Sequence, residues 1–192
     1  MNIKSIPSVV VLSIMLVLTG VVMREMSAQG LVPTDESIVK QGLAIAPVPL
    51  DLRGKNRALV GLGSYLVNAV SECNDCHTRP HFLPGGNPFN GETEVPNSLN
   101  HLTGGNQFGP FTSKNLTPDP VTGRPAGLTR DEFVHLIRTG ETDDHPFFPL
   151  QVMPWPTFRK MTDRDLHAIY EYLRAIPSRP DNPNPGECCP VQ

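Results

Sequence analysis

Five consecutive residues, Cys73-Asn74-Asp75-Cys76-His77, carry the clearest chemistry in the sequence. Residues three and four apart share one face of a helical turn, so both cysteine thiols can reach the same edge of a flat macrocycle. Cys73 and Cys76 are then placed to form thioethers with the two vinyl groups of a haem, which is what C-x-x-C-H spacing indicates. His77 follows directly and can place its imidazole beneath the iron as the proximal ligand. The motif therefore predicts one covalently attached haem c.

Three other kinds of site share part of this pattern. A thioredoxin-like C-x-x-C follows a strand in a βαβ unit, whereas a helical pattern precedes Cys73 here. A zinc site needs a second ligand pair at regular spacing, and the remaining cysteines, Cys188 and Cys189, are adjacent near the C-terminus. A disulfide between Cys73 and Cys76 leaves His77 without a role. Haem attachment accounts for all three residues of the motif.

Composition limits the class of protein. The 192-residue chain has a formal charge of −3 and 18% charged residues, so it lacks the basic excess that binding to nucleic acid requires. Its 21 prolines and 16 glycines favour long irregular connections over a large sheet. This length allows one domain with extensions.

The N-terminus predicts export. Lys4 precedes a nearly unbroken apolar run from Val9 to Val22, and small residues follow at Ala28-Gln29-Gly30. This is the organisation of a secretory signal peptide, and the run is short for a membrane span, which needs about 20 residues. We therefore expect residues 1–30 to be a signal peptide and the protein to be periplasmic. If the segment stays uncleaved, it would tether the protein to the membrane.

Apolar periodicity predicts three main helices and one short one. Their expected bounds are about Glu36–Leu43, about Asn56–Val70, Thr129–Gly140 and Asp163–Ile176. Capping boxes begin the last two, at Thr129 and Thr162. Gly63 falls in the apolar stripe of the first long helix, which predicts close approach of the last helix around Tyr172. Gly61 falls on the polar side, where we expect alanine to be tolerated.

The stretch between Thr78 and Leu128 has no sustained periodicity and is rich in glycine and proline. Structureless stretches of this length are uncommon in compact domains, but a haem offers an apolar surface around which loops can wrap. Five apolar residues are expected to contact the haem or to seal its edge: Phe82, Leu83, Phe89, Phe108 and Phe111.

The order of these features resembles the class I c-type cytochromes. More closely, it resembles single haem domains of the cytochrome c subunits that accompany membrane-associated alcohol and sugar-acid dehydrogenases. The resembling stretches are Gly63-Ser64-Tyr65-Leu66, Cys73 to Thr78, Ser113 to Asp119 with Thr122-Gly123, Glu132-Phe133 to Gly140, and Met153-Pro154-Trp155-Pro156 through Tyr172-Leu173. Two departures are visible: such subunits commonly have three haem domains, and the segment Gly123–Leu128 replaces a shorter glycine-plus-aromatic connection.

The resemblance implies an all-α, cytochrome c-like fold, with three to four helices and long Gly/Pro-rich loops around one haem. We expect the cytochrome c domain to span residues 55–177, preceded by an N-terminal extension over residues 31–54. Residues 178–192 are rich in proline and are expected to be a disordered tail. By the same resemblance, the free ring N–H of His77 should donate to a backbone carbonyl just after the motif, with Pro80 as the candidate.

Met153 is the expected sixth ligand of the iron. After removal of the signal peptide only Met153 and Met161 remain. Met161 directly precedes the helix cap Thr162 and can pack against Leu166 as a hydrophobic staple. Met153 has no such occupation, and the following Pro-Trp-Pro segment holds its chain extended. The alternative is that Met153 fills a gap in the core.

The expected function is one-electron transfer, not catalysis. The expected partners are redox proteins, among them a dehydrogenase and a terminal oxidase, so that electrons pass between a periplasmic or membrane oxidoreductase and the respiratory chain. Two alternatives are open. One is a haem subunit that anchors a dehydrogenase to the membrane through its N-terminus. The other is a peroxidase-like or sensor-like protein with an open sixth position, for which His81, His101 or His145 could supply the distal group.

Overall fold

A computed structural model describes residues 35–142 and 147–188. The described residues from Glu36 onward belong to one compact unit. In this part of the chain the α-helices are α1 (Asp35–Ile45), α2 (Arg57–Tyr65), α3 (Cys73–His77), α4 (Arg130–Thr139), α5 (Trp155–Phe158) and α6 (Asp163–Ala175). A π-helix, Leu66–Val70, continues α2, and Pro88–Asn90 form a 3-10 turn. Within the described ranges no helix is both long and apolar enough to cross a membrane. The predicted signal peptide lies outside these ranges.

A small sheet accompanies the helices. Its strands are β1 (Asn106–Phe108), β2 (Phe111–Thr112) and β3 (Gly186–Glu187), in the order β2-β1-β3. Strand β1 pairs antiparallel with β2 and parallel with β3. The described residues are therefore helix-rich, but the expectation of an all-α fold is not confirmed. Strands of two or three residues carry no readable alternation, which is why the sequence did not predict them.

The core lies where α2 crosses α6. Val60, Leu166 and Tyr172 are fully buried there. A side chain at Gly63 would overlap the carbonyl of Ala168, and its Cβ would lie 2.8 Å from Cβ of Tyr172. Gly63 therefore lets the two helix backbones approach each other, as the sequence predicts.

A second close crossing joins α1 to α2. A Cβ on Gly42 would overlap the carbonyl of Gly61, and a Cβ on Gly61 would lie 2.6 Å from the carbonyl oxygen of Val39. The hydroxyl of Ser64 donates to the carbonyl of Gly42 at 2.6 Å, within the same contact. The prediction that Gly61 lies on a tolerant polar side is therefore wrong, because the polar side of α2 is covered by α1.

The extension predicted for residues 31–54 is part of the compact unit from Glu36 onward. Val39 and Val48 are both buried, and Val48 belongs to the main hydrophobic core. The amide of Asp51 also donates to the carbonyl of Ala175, at the end of α6, at 2.8 Å. The boundary that we expected at residue 55 does not separate two structural parts.

Both predicted capping boxes are confirmed. The hydroxyl of Thr129 accepts from the amide of Glu132, whose carboxylate in turn accepts from the amide of Thr129. Thr162 and Asp165 repeat the arrangement at the start of α6. Helix α4 ends at Gly140, whose φ of 77° is a left-handed conformation that glycine adopts without strain.

Residues 178–188, here named the C-terminal strap, run along the loops that follow the Cys73–His77 motif. The amides of Asn182, Gly186 and Cys188 donate to the carbonyls of Thr103, Gly105 and Gln107, respectively. Asn182 is buried, and Cys188 is disulfide-bonded. The expectation of a disordered tail is therefore not met over the described residues. Proline-rich composition disfavours a helix, but it leaves the remaining amides able to pair with neighbouring loops.

Candidate haem-attachment site

Helix α3 consists of the predicted motif and nothing else. Cys73 and Cys76 are free thiols, both partly buried, and Cys73 packs against the hydrophobic core. Glu72 precedes the helix with a φ of 51°, a left-handed conformation that is uncommon outside glycine. This residue separates α3 from the preceding π-helix, so the motif forms a helical turn of its own.

The ring of His77 is held by one backbone group. Its Nδ1 lies 2.7 Å from the carbonyl oxygen of Lys114. A carbonyl only accepts, so Nδ1 carries the proton and Nε2 keeps its lone pair for a metal. Burial lowers the pKa of His77, although the bond to Lys114 opposes the shift. The imidazole is therefore held in the neutral form that ligates iron.

The expected carbonyl acceptor was Pro80, and this is wrong. The carbonyl of Pro80 instead accepts from the side-chain amide of Asn97 at 2.9 Å. Lys114 belongs to the Ser113–Asp119 stretch that carried the family resemblance, so that stretch was the available signal. It was missed because Lys114 lies 37 residues from His77, and spacing alone does not show which loop returns to the motif.

Asn106 holds the C-terminal end of α3. Its side-chain amide donates to the carbonyls of Asp75, Cys76 and Thr78 at 3.0 to 3.2 Å. These are groups that a helix leaves without partners at its end. The amide of Gly104 also donates to the carbonyl of His77 at 2.7 Å. The start of β1 and the loop before it therefore brace the motif, a role that sequence reasoning missed.

The donor set fits a covalently bound haem. Burial raises the pKa of the Cys73 thiol to about 12 and also raises the pKa of the Cys76 thiol. Two neutral, unpaired thiols thus share a turn with an imidazole whose Nε2 is left for iron. Among the described residues no group of three or more His, Cys, Asp or Glu side chains is arranged to hold a metal ion directly.

Met153 lies in the loop before α5, partly buried against the hydrophobic core. Its carbonyl accepts from the amide of Trp155 at 2.8 Å. Met161 packs against the same core, in agreement with the structural role expected for it. Packing of this kind does not test iron ligation, so the assignment of Met153 stays a prediction.

The five residues expected at the haem differ in exposure. Phe89 is 89% exposed and Phe111 is 46% exposed, whereas the other three are partly buried. The ring of Phe82 lies 4.3 Å from the ring of His81 and 6.4 Å from that of Phe89. In this structure Phe82 and Phe89 therefore contact each other at the surface.

The histidines proposed as distal groups already have partners where they are described. His101 is buried, and its Nε2 lies 2.9 Å from the hydroxyl of Tyr172. His81 pairs through Nδ1 with the carboxylate of Asp75 at 3.2 Å. His145 lies outside the described residues.

A chain of polar side chains links α3 to α6. Asn74 donates to the side-chain oxygen of Asn68 at 2.9 Å, and Asn68 donates to the hydroxyl of Tyr172 at 3.1 Å. His101 reaches the same hydroxyl. The two residues inside the C-x-x-C motif therefore differ, because Asn74 faces the interior while Asp75 is exposed.

No protein-family model matches the chain. It is 32% identical over 133 residues to the alcohol dehydrogenase (quinone) cytochrome c subunit of Gluconacetobacter polyoxogenes, covering 69% of this chain and 24% of the relative. It is 31% identical over 119 residues to the gluconate 2-dehydrogenase cytochrome c subunit of Pantoea cypripedii, covering 62% and 23%. The fructose dehydrogenase cytochrome subunit of Gluconobacter japonicus is 28% identical over 121 residues, covering 62% and 22%.

The matched region spans about a quarter of the length of these curated relatives. The resemblance noted in the sequence is thereby confirmed. These relatives, at about 30% identity, are cytochrome c subunits of alcohol, gluconate and fructose dehydrogenases, which is consistent with a c-type cytochrome domain in this chain.

Proposed function

We propose that this chain is an exported, monohaem c-type cytochrome that transfers single electrons between a periplasmic or membrane oxidoreductase and the respiratory chain. One observation carries the proposal. Two unpaired thiols share a helical turn with His77, whose Nδ1 is bonded to the carbonyl of Lys114 at 2.7 Å. The relatives named above are cytochrome subunits of dehydrogenases, which supports an electron-transfer subunit over a catalytic enzyme.

Each residue of the site has a defined task. Cys73 and Cys76 would hold the haem through thioethers, His77 would bind the iron from the proximal side, and Met153 from the distal side. The haem supplies the one-electron iron couple. The protein fixes the tautomer of His77 through Lys114, which raises the basicity of the ligand. It also covers one side of the site with the apolar core that Cys73 touches.

The proposed electron donor follows from the relatives. A dehydrogenase is the proposed electron donor, because the named relatives are subunits of dehydrogenases. A terminal oxidase is the proposed final acceptor. A periplasmic location, with membrane contact through residues 1–30 if they remain attached, rests on the signal-peptide pattern of the sequence alone.

The rival with an open sixth position finds no uncommitted distal histidine among the described residues, outside which His145 lies. It needs a distal histidine that is free to exchange protons with a bound ligand. His101 is committed to Tyr172 in the core, and His81 to Asp75. Binding of carbon monoxide to the reduced protein separates the two proposals, since a methionine-ligated iron should resist it and an open iron should bind it at once.

Intact mass of the protein, isolated from the periplasm of cells with active haem maturation, tests the main proposal. We expect the mature polypeptide plus the mass of one haem. The double variant Cys73→Ser/Cys76→Ser is the matched control and should carry no covalent haem. A wild-type mass equal to that of the bare polypeptide would remove the basis of the proposal. N-terminal sequencing of the same sample shows whether residues 1–30 have been removed.

A further inference from the structure

The C-terminal strap (residues 178–188) is tied to the loops that surround His77 by side chains as well as by backbone. Arg79 donates from its guanidinium to the carbonyls of Asn184 and Glu187. At the other end of the strap, the amide of Arg179 donates to the hydroxyl of Thr117 at 3.1 Å. The strap is therefore fastened both to the segment just after the haem motif and to the segment just after Lys114.

Asn182 is the buried centre of this fastening. Its side-chain amide donates to the carbonyls of Arg79 at 2.6 Å and Gly104 at 3.2 Å. A Cβ on Gly105 would lie 2.9 Å from Cβ of Asn182, so this side chain packs directly on the glycine backbone. Asn182 thus joins the residues that follow His77 to the Gly104-Gly105 turn.

The Gly104-Gly105 turn contacts the backbone of His77 on one side and the Ser113-Lys114 backbone on the other. The amide of Gly104 donates to the carbonyl of His77 at 2.7 Å. A Cβ on Gly104 would lie 2.7 Å from the carbonyl carbon of Lys114, and the amide of Gly105 donates to the carbonyl of Ser113 at 3.1 Å. The turn therefore lies between the backbone of His77 and the Lys114 carbonyl, which orients the His77 ring.

We propose that Asn182 is a positioning residue for the proximal histidine: by holding the Gly104-Gly105 turn, it keeps the Lys114 carbonyl against Nδ1 of His77. This inference rests on the proposed haem ligation by His77. A bond from Nδ1–H to an acceptor makes the imidazole a stronger donor to iron and favours the ferric state. Loosening the Lys114 carbonyl should therefore raise the reduction potential.

The test uses the full-length, haem-loaded protein and compares Asn182→Ala with wild type. We expect the reduction potential of the variant to be higher than that of wild type. We also expect its His77 ring N–H to exchange with solvent about tenfold faster, as measured by NMR. Asn184→Ala is the matched control, because Asn184 is an exposed asparagine of the same strap. Its carbonyl accepts from Arg79 and its amide donates to the side-chain oxygen of Asn182, and both backbone groups remain in the variant. It should change neither quantity.

Thr117→Val provides a second variant in case Asn182→Ala does not fold. It removes the hydroxyl that bonds to Arg179, and that also donates to the side-chain oxygen of Asn115, without changing charge or volume. It should shift the potential in the same direction. An unchanged potential and an unchanged exchange rate in a folded variant, with only a lower melting temperature, would show that the strap is merely structural and overturn the inference. A wild-type protein without covalent haem would instead refute the proposed function.

Discussion

Replacing Gly63 by alanine is the sharpest test of the crossing between α2 and α6. The new Cβ would overlap the carbonyl of Ala168 and lie 2.8 Å from Cβ of Tyr172. Backbone atoms of a packed helix cannot rotate away as a flexible side chain can. Helices α2 and α6 would have to separate, and we therefore expect a loss of stability despite the better helix propensity of alanine.

The magnitude follows from two opposing contributions. Overpacking a core costs about 1 to 3 kcal/mol, and a clash with backbone belongs at the upper end. Replacing glycine by alanine inside a helix returns about 1 kcal/mol. The expected net loss is about 2 kcal/mol, and in a domain of this size each kcal/mol lowers Tm by about 2 to 4 °C. Gly63→Ala should therefore lower Tm by about 4 to 8 °C.

The assay is thermal unfolding of the haem-loaded protein, with Ala58→Gly as control. Ala58 is exposed on the same helix, so the control measures glycine against alanine without any crossing and should cost at most about 1 kcal/mol. Gly61→Ala should lose less stability than Gly63→Ala, because one of the close neighbours of Gly61 is the flexible side chain of Val39. A Gly63→Ala protein as stable as wild type would refute the reasoning.

Two further predictions concern ligation and pH. Met153→Ala should abolish the sulfur-to-iron charge-transfer absorption of the ferric protein and lower its potential, whereas Met161→Ala should only cost stability; an unchanged spectrum in the Met153 variant would withdraw the assignment. Burial lowers the pKa of His101 to about 4 from 6.5, so the unfolded chain binds a proton that the folded chain excludes. The free energy of unfolding should fall by up to about 3 kcal/mol between pH 6.5 and pH 4. In the His101→Gln variant, the free energy of unfolding measured by urea titration should depend much less on pH. An equal dependence on pH in both proteins would contradict the prediction.

Local signals in the sequence predicted the elements that depend on neighbouring residues. The capping boxes at Thr129 and Thr162 and the stop at Gly140 each involve residues within four positions of one another, and all are confirmed. The role of Gly63 was also predicted, because its place in an apolar stripe of α2 reports a buried face.

Contacts between distant residues were not predictable in the same way. Lys114 was missed because a backbone carbonyl can come from any residue type, and the resemblance of the Ser113–Asp119 stretch did not show that this loop returns to His77. Gly61 was misjudged because α2 is covered on two sides, by α1 as well as by α6, and a single periodic stripe reports only one of them. The ordered strap was missed because its bonds come from asparagines and backbone amides, which proline-rich composition does not exclude.

The crossing of α1 on α2 determines where a segment of this chain must begin if it is to be transplanted into another protein. A segment that started at residue 55 would expose Gly61, which α1 now covers. It would also leave the hydroxyl of Ser64 without the Gly42 carbonyl to which it donates. Buried polar groups without partners are costly. Anyone who moves this domain into another protein should therefore include the whole of α1, from Asp35 onward, even though the recognisable motifs begin more than twenty residues later.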